Sequence, residues 1–107
     1  MLEKKDTIYL YRGATSSVEF DFTNFVFENN SKCEFTMTGA CDDKVYKKAE
    51  FTESKKYILT FTDDFTKNLE GSRYKYNIMY FVGDERYPQC ANSDIVVDGV
   101  INSYEGN

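Results

Sequence analysis

The chain contains no histidine. The commonest general base near neutral pH and the commonest metal ligand are therefore both missing, and any chemistry must come from cysteines, carboxylates or tyrosines. Cys33 shares an alternating apolar face with Phe35 and Met37, which reads as a small core filler rather than a nucleophile. Cys90, two residues after Pro88, has no sequence neighbour that would activate it as a nucleophile. The acidic pairs Asp42-Asp43, Asp63-Asp64 and Asp84-Glu85 fall in predicted turns. Loops that converge at one end of a sandwich can bind calcium through such oxygens, but none of the pairs follows the spaced ligand pattern of a dedicated calcium loop. Paired carboxylates also suit glycoside hydrolysis, yet 107 residues leave little room for a sugar cleft. The expectation is solvated turn carboxylates, with no catalytic residue, no metal and no cofactor. Tyrosines remain. Exposed rings on a flat sheet face hold sugars or form protein interfaces, and Tyr9, Tyr11, Tyr46 and Tyr80 are the candidate interface residues. The plainer reading of any one ring is that it covers the second face of a sheet with its hydroxyl in water.

The elements that must position these residues are strands. Thr7–Arg12 sets Ile8 and Leu10 against Tyr9 and Tyr11. Ser16–Phe22 sets Val18, Phe20 and Phe22 against Glu19 and Asp21, one face buried and one wet. Phe25, Val26 and Phe27 cap an end of the core before the turn Asn29-Asn30-Ser31. That triplet matches the glycosylation pattern, which is too short to carry weight without a secretion signal. Lys32–Thr38 alternates again. Lys44–Phe51 puts Val45, Ala49 and Phe51 on one face, and its three lysines suit a sheet edge, where charge discourages pairing with a neighbour. Tyr57–Phe61 is another interior strand.

Thr62 to Leu69 breaks the alternation and predicts at most one short helical turn over residues 62–69, capped by Thr62, with Asp63 and Asp64 near its positive end and Phe65 and Leu69 inward. Leu69 and Gly71 then form a structural corner with Tyr74, which reaches back to bond the preceding backbone as tyrosine corners do. From there Tyr74, Tyr76, Ile78 and Tyr80 fall on every second residue. Met79 and Phe81 make the far half of this run apolar on both faces, the pattern of a central strand covered on each side. Pro88 marks an edge or a break, and the last strand runs over Ser93–Ile101. The polar stretches at 1–5 and 102–107 are expected to lie loose. Seven or eight short strands with regular turns predict an all-β sandwich of two sheets, a single domain over residues 1–107.

Eighteen acids against thirteen bases give a net charge of −5, and from Gly83 onward five acids face one base. That disfavours nucleic-acid binding, which needs clustered Lys and Arg. Nine tyrosines and nine phenylalanines argue for a folded core rather than disorder. The start MLEKKDTIYL has lysines and an aspartate where a secretory leader has its apolar core, and no run approaches the length of a membrane span. Reduced thiols in a protein made in the cytoplasm, with no bridge between Cys33 and Cys41, are the expectation.

Read together, four segments resemble a known family. Asp6-Thr7-Ile8-Tyr9-Leu10-Tyr11-Arg12-Gly13 is similar to the D-T-I-x-I-x-R-G opening of small immunoglobulin-like domains in bacteriophage virions, notably the N-terminal domain of baseplate upper proteins. Phe35-Thr36-Met37, the stretch from Leu59 to Thr66 (L-T-x-x-x-T in the family), and Leu69-Glu70-Gly71-Ser72-Arg73-Tyr74-Lys75-Tyr76-Asn77-Ile78 follow in the family's order. Here one extra residue separates Gly71 from Tyr74, Asn77 stands for the usual aspartate, and Cys90-Ala91-Asn92-Ser93 replaces a threonine and glycine pattern. The resemblance implies an immunoglobulin-like β-sandwich of seven or eight antiparallel strands. It further implies a non-catalytic structural protein of a phage particle (tail, baseplate or head surface) that docks onto other virion proteins. Such a protein is a homo-oligomer or present in many copies, and is located in the virion after synthesis in the host cytoplasm, with no nucleic-acid or membrane partner. Two rivals stand beside it: a carbohydrate-binding module using Tyr9 or Tyr80, and an acidic inhibitor of a host nucleic-acid enzyme using Asp94 and Asp98.

Overall fold

The computed structural model describes residues 6–99. The polar start at 1–5, the end of the last expected strand at Val100 and Ile101, and the polar tail at 102–107 lie outside the described residues. The elements are β1 (Ile8–Tyr11), β2 (Ser16–Asp21), β3 (Ser31–Gly39), β4 (Val45–Phe51), β5 (Lys56–Phe61), α1 (Asp63–Lys67), β6 (Arg73–Val82) and β7 (Glu85–Asp98). They build a five-stranded sheet in the order β1-β7-β6-β3-β4 and a two-stranded sheet of β2 and β5. One apolar cluster joins the two, with Leu10, Phe35, Met37, Ile78, Ile95 and Val97 contributed by the larger sheet and Phe20 and Phe61 by the smaller. The result is a sandwich-like arrangement of unequal layers.

Alternation in the sequence explains which face each strand buries. Cys33, Phe35 and Met37 of β3 are fully buried while Glu34, Thr36 and Thr38 point outward, half-buried among their neighbours. At one end of the core the Phe22 ring meets those of Phe25, Phe27, Phe51 and Tyr57 at centroid distances of 5.0 to 5.9 Å. These are the tilted and edge-on geometries that aromatic quadrupoles favour. Phe25 and Phe27 thus close that end as expected, whereas Val26 between them faces solvent, 78% exposed.

The helix forms where the period-two pattern fails. The Thr62 side chain accepts the Phe65 N–H at 3.3 Å, Asp63 and Asp64 occupy the first turn, and Lys67 in the last turn meets Asp64 at 3.0 Å. Its innermost residue is Thr66, fully buried.

The structure departs from the expected pattern in four places. β1 runs parallel to β7, with Ile8 opposite Ile95 and Tyr11 opposite Asp98, so the strands are not all antiparallel. Parallel neighbours need a long connection, and here the intervening domain supplies it. The last strand begins at Glu85 rather than Ser93 and runs through Pro88. Because β1 reaches only Ile95–Asp98, Pro88 lies where β7 has a single neighbour, an edge that tolerates its missing donor. Register shifts between Tyr76 and Met79 absorb the extra length of β7. There Asn92 adopts a left-handed φ of 55° and donates its N–H to Asn77 Oδ1 at 2.9 Å.

In β4 a bulge opposite Met37 and Thr38 turns Val45 out to solvent and brings the Tyr46 ring inward, reversing the expected orientation of Val45. Finally, Met79 and Phe81 are only half-buried, on the outer face of the large sheet, where no second layer covers them among the described residues. Lys32 Nζ lies 5.8 Å from the Phe81 ring centroid instead. The edge position expected for β4 holds, since among the described residues its ladder partner is β3 alone.

All three cysteines are free thiols, Cys33 and Cys90 buried and Cys41 exposed. Burial pushes the Cys33 thiol up to about 12, and burial first, then the neighbouring Cys90, pushes the Tyr76 hydroxyl up to about 12. Both groups hold their proton more tightly folded than unfolded. Their contribution to stability is complete below the unfolded values, 9.0 for Cys33 and 10.0 for Tyr76, and is lost as pH climbs towards 12. Urea midpoints measured from pH 8 upward are therefore expected to hold until about pH 9 and then fall; in a Cys33→Ala variant the fall is expected to start nearer pH 10.

Candidate functional site

Two features stand out once the fold is in place: a clamp at the corner before β6 and an open seam between β1 and β2. The clamp starts with Arg12, the residue after β1. Its Nε donates to the Leu69 carbonyl oxygen at 2.7 Å and its Nη2 to the Gly71 carbonyl oxygen at 3.0 Å. In return the Gly71 N–H donates to the Tyr74 hydroxyl at 2.9 Å. Leu69 and Tyr74 are buried, so the corner of Leu69, Gly71 and Tyr74 is brought together as the sequence predicts. A Cβ at Gly71 would stand 3.3 Å from the Tyr74 oxygen, so glycine suits this close approach.

The turn after Arg12 is held from the same side. Gly13, at a φ of +87° that suits glycine, donates its N–H to Thr66 Oγ1 at 3.1 Å, and that hydroxyl donates to the Ala14 carbonyl at 2.8 Å. Arg12 and Thr66 were not singled out as site residues by sequence reasoning. The signal available was the R-G dipeptide ending a strand, but its targets lie 57 and 59 residues away.

The tyrosine candidates do not form one surface. Tyr9 and Tyr11 project from the outer face of β1, 66% and 43% exposed. Tyr46 sits on β4, at the opposite edge of the sheet, half-buried with its ring edge-on to Tyr74 at 5.0 Å. Tyr80 is buried, 8% exposed, and its hydroxyl accepts the Glu28 N–H at 3.0 Å. Tyr80 is therefore corrected from an interface ring to a core ring. It lies on the same face of β6 as Tyr74 and Ile78, which is the face the core covers.

Its polar tip is used as the tips of Tyr57 and Tyr76 are. The Tyr57 hydroxyl accepts the N–H groups of Thr52 and Glu53 at 3.1 and 2.9 Å, and the Tyr76 hydroxyl donates to the Asp6 carbonyl at 2.6 Å. The acidic pairs stay in turns. Asp42 accepts the Lys44 N–H, Asp63 the Asp64 N–H, and Glu85 the Tyr87 hydroxyl. Among the described residues no group of three His, Cys, Asp or Glu is placed to hold a metal ion.

The seam is the larger opening. Asp6–Tyr9 form one wall and Ser16–Glu19 the other, with Phe20, Tyr76, Ile78 and Cys90 as the floor, around a cavity of 480 Å³. It exists because a two-stranded layer cannot cover a five-stranded one. Cys90 in the floor meets Ser93 Oγ at 2.9 Å and is buried. Among the described residues the lining holds two carboxylates, Asp6 and Glu19, and the Glu19 carboxylate pairs with Lys56 Nζ at 3.9 Å. Chemically, apolar depth between two strand edges suits the binding of a chain more than a reaction.

No protein-family model, curated protein or solved structure matches the chain.

Two substitutions test the clamp. Tyr74→Phe removes the acceptor for the Gly71 N–H and is expected to cost about 1 kcal/mol in chemical denaturation; no measurable loss would make Tyr74 an ordinary core ring. Arg12→Lys keeps the charge but cannot span two carbonyls with a planar fork, and is expected to cost about 1.5 kcal/mol. An unchanged midpoint would mean that the guanidinium geometry is not what holds the corner.

Proposed function

We propose that this chain is a non-catalytic, immunoglobulin-like structural component of a bacteriophage particle that works by docking to other virion proteins. One observation carries the reading: the segments that bear the family resemblance bond to each other. Arg12 and Gly13 of the D-T-I-x-I-x-R-G stretch reach Leu69, Gly71 and Thr66 of two of the other segments, and the Asp6 carbonyl receives the Tyr76 hydroxyl. Short motifs matched by chance along a chain have no reason to meet in space, whereas motifs that specify one fold do.

The strand order supports the same reading. The pairing of the second strand with the fifth and a tyrosine corner at the start of the sixth fit the immunoglobulin plan, while layers of five and two strands depart from its four and three. The setting in a particle comes from the resemblance, since one fold hosts many functions. A small domain repeated by symmetry can hold firmly through contacts that are each weak. The exposed Tyr9 and Tyr11 rings on the outer face of β1 offer such a contact surface.

Mass spectrometry of purified virions from a phage that encodes the chain is expected to find it as a multicopy component. Complete, infectious particles that lack it would overturn the proposal.

A further inference from the structure

A smaller hollow lies beside the β6–β7 hairpin, away from both the clamp and the seam. Tyr80 and Tyr87 stand opposite each other in the ladder, so Tyr87 shares the inner face with Tyr80. The segment between β2 and β3 passes next to them, with the Phe25 ring edge-on to Tyr80 at 4.9 Å. Phe25, Val26, Tyr80 and Tyr87, with Asn24 and Gln89, line a space of about 400 Å³. Val26 and Tyr87 are two of the large hydrophobic side chains that stay exposed, and they meet at this one place.

Two carboxylates flank the hollow. Glu85 accepts the Tyr87 hydroxyl, and Glu28, two residues after Val26, donates its N–H to the Tyr80 hydroxyl at 3.0 Å. Among the described residues neither carboxylate has an ion-pair partner, whereas Glu19, Glu34, Glu50, Glu53, Asp64 and Asp94 each meet a lysine. The bond to Glu85 first, then its charge, burial and the charge of Glu28, hold the Tyr87 hydroxyl above its ordinary value. Both carboxylates therefore bear on this ring.

We propose that this hollow receives an arginine side chain of a partner protein, its guanidinium against the Tyr87 ring and within reach of Glu85 and Glu28. The inference deepens the docking reading above and rests on it only for the identity of the partner as a virion protein. An arginine stem is apolar and matches Phe25 and Val26, while its planar head stacks on an aromatic face and bonds carboxylates through a rigid fork. Lysine supplies the charge but neither the plane nor the fork. A purely apolar group would strip water from the carboxylates and return no counter-charge. An added strand is disfavoured, because Pro88 in this part of β7 has no N–H to give. A second copy of this chain fits less well. Arg12 is held in the clamp, the charge of Arg73 acts on Asp94, and Arg86 is next to Glu85. Docking Arg86 would bring Glu85 towards its own kind, within molecules of net charge −5.

The test follows amide chemical shifts of isotope-labelled protein while a short acetylated and amidated peptide, serine-leucine-arginine-leucine-serine, is added. The amides of Val26, Glu28, Tyr87 and Gln89 are expected to move, with a dissociation constant on the order of millimolar for so small a ligand. A twin with citrulline, which keeps the plane and loses the charge, is expected to bind about tenfold more weakly. Glu28→Gln and Glu85→Gln, both exposed positions, are each expected to weaken binding about fivefold, and Glu70→Gln, an exposed carboxylate elsewhere, to leave it unchanged. The inference fails if no shift appears, if a citrulline or lysine twin binds equally well, if Glu70→Gln weakens binding as much, or if the shifts fall on Tyr9 and Tyr11. It fails in favour of a second copy if the same amides move when the protein is concentrated without peptide. Its failure is separable from that of the particle reading: a chain present in virions whose hollow ignores the peptide removes this inference alone.

Discussion

Satisfying backbone polar groups where the strands turn is the constraint on which the rest of the fold depends. Within a sheet each N–H and C=O finds a partner in the ladder, but at corners and layer crossings it does not, and a buried group left alone costs more than the bond it would have made. Here the partners are long side chains with polar tips. Arg12 takes two carbonyls at the corner before β6. Tyr74, Tyr57 and Tyr80 accept N–H groups at three separate turns, and Tyr76 donates to the carbonyl just ahead of β1. Each of these residues places its apolar body in or against the core and its oxygen or guanidinium at the rim. That combination explains why so small a domain holds so many tyrosines and why few of them are free to act as a binding platform.

The same residues show what could be read in the sequence. Period-two alternation located the strands and their buried faces in β2, β3 and β6, and the order of Leu69, Gly71 and Tyr74 located the corner. Tyr80, expected among the interface rings, lies on the core face that its alternation with Ile78 and Tyr76 already indicated. Other features were out of reach for physical reasons. The partners of Arg12 lie 57 and 59 residues away, and no local propensity encodes a distance of that kind. The bulge that turns Val45 outward depends on the register of β3. The first half of β7, with Pro88 and a run of exposed polar residues, has no strand signature of its own and is strand only because β6 lies beside it.

The seam was equally illegible, because it arises from a difference in number rather than from any residue. Five strands face two, and the uncovered width has to open somewhere. It opens where β1 is short and where, among the described residues, β2 has a ladder neighbour on one side only. Apolar side chains that would be core in a sandwich of equal layers become the floor of a groove there, and this couples the stability of the domain to its capacity for contact.

The parallel pairing of β1 with β7 has a mechanical meaning. The two strands run side by side in the same direction, so Asp6, just before β1, and Gly99, just after β7, leave the ladder at opposite ends. A pull on one against the other runs along both strands and loads the bonds from Ile8 to Tyr11 together, in shear, instead of opening them one after another. The Arg12 guanidinium, packed where a Cβ on Gly99 would stand, sits across that same line of force and ties it to the corner before β6.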